Sequence, residues 1–131
     1  MRVAFDQQVF SLQEFGGISR YVSSLALNLG HIEGIDAKIF APCHINTYLE
    51  KLPKEMVYGV RIPKIPKIGK VLQQGSSFLA RRAIEKYIPQ IVHETYYSKT
   101  SPTIKGSRNV VTVYDMIHER FPSNFLKHDR D

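Results

Sequence analysis

The clearest pattern in this sequence is an apolar stripe that begins just after two adjacent glycines. The stripe repeats at steps of three and four residues, a spacing that places its members on one face of a helix. These members are Ile18, Tyr21, Val22, Leu25, Ala26 and Leu29. Gly30 follows directly, and glycine is common at helix ends. The pattern predicts a helix that begins after Gly17 and stops at Gly30, with one apolar face.

Five short apolar runs elsewhere in the chain predict strands. They cover residues 2–6, 36–42, 55–63, 90–94 and 109–115. The last two are rich in valine and end in polar residues, which is typical of strands buried on both faces of a parallel sheet. A second helix is predicted from near Lys70 to Ile88, after a basic loop whose prolines exclude a helix or a central strand.

This alternation of strands and helices predicts an α/β fold with a doubly wound, mostly parallel sheet. Right-handed crossovers then bring the carboxyl ends of all strands to one edge, where such folds bind ligands. Polar residues follow three of the predicted strands, as expected for a binding edge. They are Asp6, the pair His93 and Glu94, and the pair Tyr114 and Asp115.

Length and composition set the outer limits of the interpretation. The chain has 131 residues, which predicts one domain spanning 1–131 with a core of its own. It has a single cysteine, Cys43, and neither an apolar leader nor an apolar run long enough to span a bilayer. A lone cysteine favours a reducing compartment, so a cytoplasmic location is expected.

The formal net charge of +6 is concentrated in one segment. Residues 51–86 contain nine basic side chains but only two acidic ones, Glu55 and Glu85, and therefore account for the whole excess. Such a segment attracts phosphates on lipid head groups, nucleic acid or a substrate. A solvated surface without a ligand is the alternative interpretation.

The glycine pair Gly16 and Gly17 also has two interpretations. Glycines let a ligand approach closely, and the free amides at a helix start favour an anion, with Arg20 as an additional donor. The alternative is a tight turn into a packed helix, because neither a GxGxxG nor a phosphate-binding GxxxxGK[ST] pattern is present.

Two further groups carry side chains suited to chemistry. His93 and Glu94 end a strand and are followed by Tyr96 and Tyr97, whose rings and hydroxyls suit sugars or bases, although a tyrosine here can equally belong to the core or its rim. Further on, Asp115 and His118 are close enough to meet on one turn. A histidine can act there as acid, base or donor, and a structural aspartate with a surface histidine is the alternative.

Other chemistries find no support in the residue patterns. Neither "HETYY" nor "HERFP" completes an HExxH metal motif, and the lone cysteine has no partners at metal-binding spacing. A GxSxG nucleophile motif is likewise missing. The sequence therefore predicts no metal site and no serine hydrolase.

Three blocks taken together resemble a known family. "MRVAFDQQVFSLQEFGGISRY", "IVHETYYS" and "VVTVYDMIHERFP", in this order and spacing, resemble the N-terminal domain of family 4 (group 1) glycosyltransferases. The resemblance implies a Rossmann-like domain, one half of a GT-B fold, in a retaining enzyme that needs no metal. It also implies a nucleotide-sugar donor, which is a substrate rather than a cofactor, and a sugar or lipid-linked acceptor.

By matching position, the resemblance assigns several residues to the cleft. Gly16 and Gly17 correspond to a turn that approaches the donor phosphate, and His93 corresponds to a residue lining the cleft. Tyr114 departs from the family, because many relatives have a histidine before the aspartate at this strand end. A tyrosine is a poor proton shuttle near neutral pH, and His118 is the candidate to compensate.

The resemblance also implies parts that this chain does not contain. The donor-binding C-terminal domain is missing, which predicts that the chain is a fragment, inactive alone because transfer needs donor and acceptor held together. Relatives often act at membranes, so a basic face is predicted to touch anionic lipid at the inner surface. That face comprises Lys64, Lys67, Lys70, Arg81 and Arg82.

Two other classes of function remain open. The first is a non-catalytic basic α/β module that binds phosphate, nucleic acid or a partner protein. No helix-turn-helix, zinc-finger or RNA-binding pattern supports nucleic acid, so that partner is not expected. The second is a remnant that keeps the fold without turnover.

Overall fold

The structure, a computed structural model, describes residues 1–64, 69–97 and 104–115, with the backbone alone at 69–73. Five strands form one parallel sheet. They are β1 (Arg2–Phe5), β2 (Asp36–His44), β3 (Val57–Arg61), β4 (Ile91–Glu94) and β5 (Arg108–Val111). Three helices are described, namely α1 (Gln8–Leu12), α2 (Gly17–Gly30) and α3 (Gly69–Tyr87).

The strand order is β3-β2-β1-β4-β5, so the order reverses between β1 and β4. Val3 of β1 lies beside Ala37 of β2 on one side and Ile91 of β4 on the other. This arrangement is the doubly wound, Rossmann-like sheet that the sequence predicts. Ligands of such sheets bind at the carboxyl edge, where the strand order reverses.

The two long helices cover opposite faces of the sheet, because alternate residues of each strand point to opposite sides. Val3 and Phe5 of β1 pack in the cluster that contains Val22 and Ala26 of α2. Ala4, between them, packs in a second cluster with Ala80 and Ile84 of α3, together with Phe40 and Val92. Each face of the central strands is thus closed by one helix.

The edge strand β5 is more exposed to solvent than its neighbour β4. All four residues of β5 are exposed, whereas Val92, His93 and Glu94 of β4 are buried. The prediction that both valine-rich runs are buried on two faces is therefore right for residues 90–94 and wrong for 109–115. The reason is that β5 is the last strand in the order, and neither core cluster of the described residues includes its side chains.

A close approach explains one glycine of β3. At Gly59 the φ angle is +153°, and a Cβ there would lie 1.8 Å from the Ala41 carbonyl oxygen. The contact coincides with an irregular register between β2 and β3, which shifts between Phe40 and Cys43. Any residue with a side chain would push β3 away from the sheet.

Candidate functional site

The polar residues that the sequence places at strand ends do meet at one edge. The Asp6 amide, just past β1, donates to the His93 carbonyl of β4 at 3.2 Å. The Tyr114 hydroxyl, three residues past β5, donates to the Thr95 carbonyl at 3.3 Å. The edge is therefore a connected surface at the point where strand order reverses.

Asp6 is the centre of this edge. Its side chain is buried, and the residue is 2% exposed. The carboxylate accepts hydrogen bonds from the Thr95 amide at 3.0 Å and hydroxyl at 2.5 Å, and from the Gln8 amide at 3.2 Å and side chain at 2.5 Å. Burial raises the pKa of Asp6, and these hydrogen bonds act in the opposite direction. Asp6 ties the loop after β1 to the loop after β4, a role that the sequence analysis did not assign.

These contacts close the start of α1. The Gln8 amide is bonded to Asp6, and the Val9 amide donates to the Thr95 hydroxyl at 3.1 Å. Val9 and Phe10 are fully buried and hold this short helix against the core. The first amides of α1 are therefore occupied by side chains of the protein.

The start of α2 is built differently. Gln13 supplies a side-chain oxygen that accepts from the Ser19 amide at 3.2 Å, and the Gly16 carbonyl accepts from the Arg20 amide at 3.0 Å. In the described part of the chain, the amides of Gly17 and Ile18 donate to no other residue. A Cβ on Gly17 would meet nothing within 4 Å. The amides of Gly17 and Ile18 therefore have no described partner at the positive end of a helix, and the space beside Gly17 is open.

The loop before α2 is fixed from behind. Asn46, which is fully buried, donates to the Gln13 carbonyl at 2.7 Å, and the Thr47 amide donates to the Glu14 carbonyl at 2.9 Å. A Cβ on Gly16 would come within 2.5 Å of the Gln13 side-chain oxygen. Gly16 is therefore needed to let Gln13 cap the helix, while Gly17 leaves the outer surface open.

Arg20 lies one turn after Gly17 on the same helix. It is exposed and forms no ion pair with any described residue. Residues three apart are neighbours on a helix surface, so its guanidinium is within reach of the open amides. The predicted group of Gly16, Gly17 and Arg20 is thus brought together, although only Gly17 and Arg20 face outward.

Tyrosines form the other wall of the edge. Tyr114 contacts Tyr21 of α2 with ring centroids 6.0 Å apart, and it contacts Tyr97 at 6.4 Å. Tyr97 in turn packs against Tyr96, with tilted rings whose centroids are 5.5 Å apart, and its hydroxyl accepts from the Tyr114 amide at 2.8 Å. Tyr21 and Tyr97 are 47% and 48% exposed, so the cluster offers aromatic surface to solvent.

Tyr21 corrects one sequence expectation. The helical stripe groups it with the apolar face, but its ring points to the sheet edge rather than to the core. Two serines, Ser19 and Ser23, are buried on the helix face instead. Their hydroxyls donate to carbonyls one turn back, at Gly16 and Ser19, so polar side chains fit inside without a loss of hydrogen bonds.

His93 and Glu94 lie below the surface of the edge. His93 is 6% exposed, its ring packs 5.1 Å from Phe5, and its Nε2 is 3.1 Å from the Thr112 hydroxyl. Burial lowers the pKa of His93, which keeps the ring neutral near pH 7. Glu94 is also buried, and it accepts from the Asn109 side chain at 3.2 Å. Both side chains are buried beneath the edge, and their contact with a substrate stays a prediction.

Three residues are singled out by the sequence for a part in the chemistry, namely Tyr114, Asp115 and His118. The structure describes the first two. Burial, with nearby Tyr21, raises the pKa of Tyr114 to about 12, so its hydroxyl stays protonated and acts as a donor. Asp115 is exposed at the same edge. His118 lies outside the described residues.

The basic face is divided between two places. Lys64 lines a groove with Arg61, which pairs with Glu14 at 3.1 Å and with Glu50 at 2.9 Å. Arg82 lies instead on α3, where the neighbouring Arg81 pairs with Glu85 at 3.1 Å. Lys67 lies outside the described residues, and Lys70 is in the part of α3 described by its backbone alone. Contact of this face with lipid stays a prediction.

Comparisons of the chain with protein families, curated proteins and solved structures found no match in any of the three. Within the described ranges, no three histidine, cysteine, aspartate or glutamate side chains group so as to hold a metal ion. Across those ranges, no helix is both long and apolar enough to cross a bilayer.

Proposed function

We propose that this chain is the acceptor-side, N-terminal domain of a retaining glycosyltransferase with the GT-B fold. One observation carries the proposal. The open start of α2 and the tyrosine cluster lie at the same carboxyl edge, where the strand order reverses. An anion site beside exposed aromatic rings suits a nucleotide sugar, which combines a diphosphate with a sugar ring.

The phosphate end of this ligand belongs at α2. The amides of Gly17 and Ile18, together with Arg20, supply donors and positive charge. During transfer, negative charge grows on the departing nucleotide phosphate. A helix start that is already in place stabilises this charge without reorganising, which is the usual way an enzyme lowers such a barrier.

The sugar end belongs at the tyrosines. Tyr21 and Tyr97 present ring faces against which sugar C–H groups can pack. The ring of each also contacts the ring of Tyr114. Tyr114 itself donates to the Thr95 carbonyl, and burial raises its pKa to about 12, further above neutral pH. It therefore positions the loops and gives up no proton near pH 7.

The proposal is tested on the protein at its natural length. The intact mass of the native species is measured first, and transfer from a panel of labelled nucleotide sugars is then assayed with that species. We expect a mass well above 15.0 kDa and transfer from at least one donor, reduced about tenfold or more by Gly17→Val. A native species of 15.0 kDa that transfers nothing would contradict the proposal.

A further inference from the structure

A second cavity lies on the face of the sheet that α3 covers, away from the carboxyl edge. It is a groove of about 590 Å³ between α3 and the first residues of β3. Phe40, Val57 and Tyr58 line it from the sheet, and Leu79, Ala83 and Tyr87 line it from the helix. Its size falls in the range of small-molecule sites.

The groove exists because α3 sits over the centre of the sheet. Ala80 and Ile84 pack with Phe40 and Val92, so the helix leaves the edge strand β3 uncovered on this side. Tyr58 and Leu79 are consequently 51% and 49% exposed across from each other. An apolar ligand chain placed between them would remove this surface from water.

Three cations surround the apolar lining. Lys38 lies over the Tyr87 ring at 5.5 Å, Arg82 lies over the Phe78 ring at 4.8 Å, and Lys86 is exposed at the rim. Aromatic rings hold two of these charges in place without neutralising them.

The charge balance of the groove is positive. In the described ranges, Lys38, Arg82 and Lys86 form no salt bridge, and Glu55 is the single carboxylate in the lining. An apolar floor with unneutralised cations at its rim is complementary to a molecule with an apolar tail and an anionic head.

We propose that this groove binds an amphiphile with one alkyl or aromatic tail and one phosphate or carboxylate head. The tail lies between Tyr58 and Leu79, and the head lies between Lys38, Arg82 and Lys86. The site is separate from the carboxyl edge and does not depend on the transferase proposal. The same head-and-tail chemistry occurs in free amphiphiles and in membrane lipids.

The test is calorimetric titration of the whole chain with three probes below their micelle concentrations. Octyl phosphate carries both features, octyl glucoside carries the tail with a neutral head, and inorganic phosphate carries the head alone. We expect octyl phosphate to bind about tenfold more tightly than either of the others, because only it uses both parts of the groove. Equal binding of octyl phosphate and octyl glucoside, or no binding of either, would overturn the proposal.

Variants then locate the binding. The double change Arg82→Gln and Lys86→Gln removes two rim charges and should weaken octyl phosphate about tenfold while leaving octyl glucoside unchanged. The matched control, Lys105→Gln with Arg108→Gln, removes the same charge from exposed residues outside the groove and should change neither. Equal weakening by both pairs would show a general charge effect and reject the site.

Two further arms address other occupants. Competition by phosphatidylglycerol vesicles supports the site with a bilayer lipid as the source, and titration unaffected by vesicles supports it with a free amphiphile. Sedimentation velocity checks the groove for a second copy of the chain. A dimer that Tyr58→Ser and Leu79→Ser both dissociate would mean that the groove is a protein interface, against the proposal.

Discussion

Two helices begin at the same edge of the sheet, but among the described residues the first amides of α1 are hydrogen-bonded and those of α2 are not. At α1, the Gln8 amide is bonded to the Asp6 carboxylate and the Val9 amide to the Thr95 hydroxyl. At α2, the amides of Gly17 and Ile18 have no described partner, and the space over Gly17 is open. Of these two helix starts, α2 is therefore the one whose first amides can bind an anion.

The difference follows from which residues precede each helix. A carboxylate at Asp6 neutralises the positive end of α1 and would repel a second anion there. Before α2, the neutral side-chain amide of Gln13 bonds only the third amide, at Ser19, and the two glycines add no side chain that could cover the others. One helix start thus stabilises the fold, and the other is available to a ligand.

The largest expected effect comes from breaking the closed helix start. Asp6→Ala removes the acceptor of four hydrogen bonds inside the protein and leaves the donors of Thr95 and Gln8 unpaired. We expect a loss of about 3 kcal/mol in the free energy of unfolding, measured by urea denaturation.

A matched change keeps the test specific to this carboxylate. Glu33→Ala removes an exposed carboxylate from the loop after α2 and should cost less than about 1 kcal/mol. A loss at Asp6 no larger than that at Glu33 would mean that the start of α1 is not held in this way.

A pair of glycine variants tests whether the open helix start binds an anion. Gly17→Ala adds a methyl where no atom lies within 4 Å, so stability should be unchanged or rise by up to about 1 kcal/mol. The same methyl would occupy the empty space beside the unpartnered amides and should weaken pyrophosphate binding about tenfold, as measured by calorimetry.

Gly16→Ala is the partner variant with the reverse profile. Its methyl would meet the Gln13 side chain at 2.5 Å and displace the cap of Ser19, with a loss of about 1 kcal/mol in unfolding free energy. If both alanines had the same effects on stability and on binding, the division between an inner cap and an outer anion site would be wrong.

Acid should lower the free energy of unfolding through His93, which is buried beneath the carboxyl edge. Burial lowers the pKa of His93 below the ordinary 6.5, so the unfolded chain takes up a proton at a pH where the folded chain does not. His93 therefore contributes full stability above about pH 6.5, and this contribution falls as the pH drops towards the folded pKa.

The measurement is the free energy of unfolding between pH 8 and pH 5, compared with that of His93→Gln. We expect the difference between the two proteins to shrink as the pH falls, because the variant has no proton to take up at this position. His31→Gln, at an exposed position, is the control. A pH-independent difference would show that His93 is not held neutral by its surroundings.

The smallest effect should come from the tyrosine wall. Tyr114→Phe removes the 3.3 Å bond to the Thr95 carbonyl but keeps the ring contacts, so we expect a loss of about 0.5 kcal/mol in unfolding free energy. Tyr21→Phe, whose hydroxyl has no described hydrogen bond, should leave stability unchanged. Equal losses in the two variants would mean that the bond between Tyr114 and Thr95 does not join the loops.

The sheet and its edge were predictable because they follow from periodicity. Short valine-rich runs and a helical stripe are local signals, and a parallel sheet then brings every strand end to one side. That is why the sequence alone predicts that Asp6, His93 and Tyr114 lie at one edge. The prediction that β5 is buried was wrong, because the identity of the edge strand depends on strand order rather than on composition.

The details of the site depend on contacts distant in sequence. Helix α1 is only five residues long, and its start is closed by Thr95 through contacts 86 and 89 residues away along the chain. The Gln13 cap depends on buried Asn46, and the position of Tyr21 depends on Tyr114. No window of neighbouring residues carries these signals. A polar residue directly after a strand, as at Asp6, was the one available hint.

The most direct test of the open helix start is an amide NMR titration of the ¹⁵N-labelled chain with pyrophosphate. Anion binding at α2 predicts saturable shifts for the amides of Gly17 and Ile18, while those of Gln8 and Val9, already bonded to Asp6 and Thr95, stay in place. Shifts at Gln8 and Val9 with none at Gly17 and Ile18, or no saturable shift at either helix, would contradict the account.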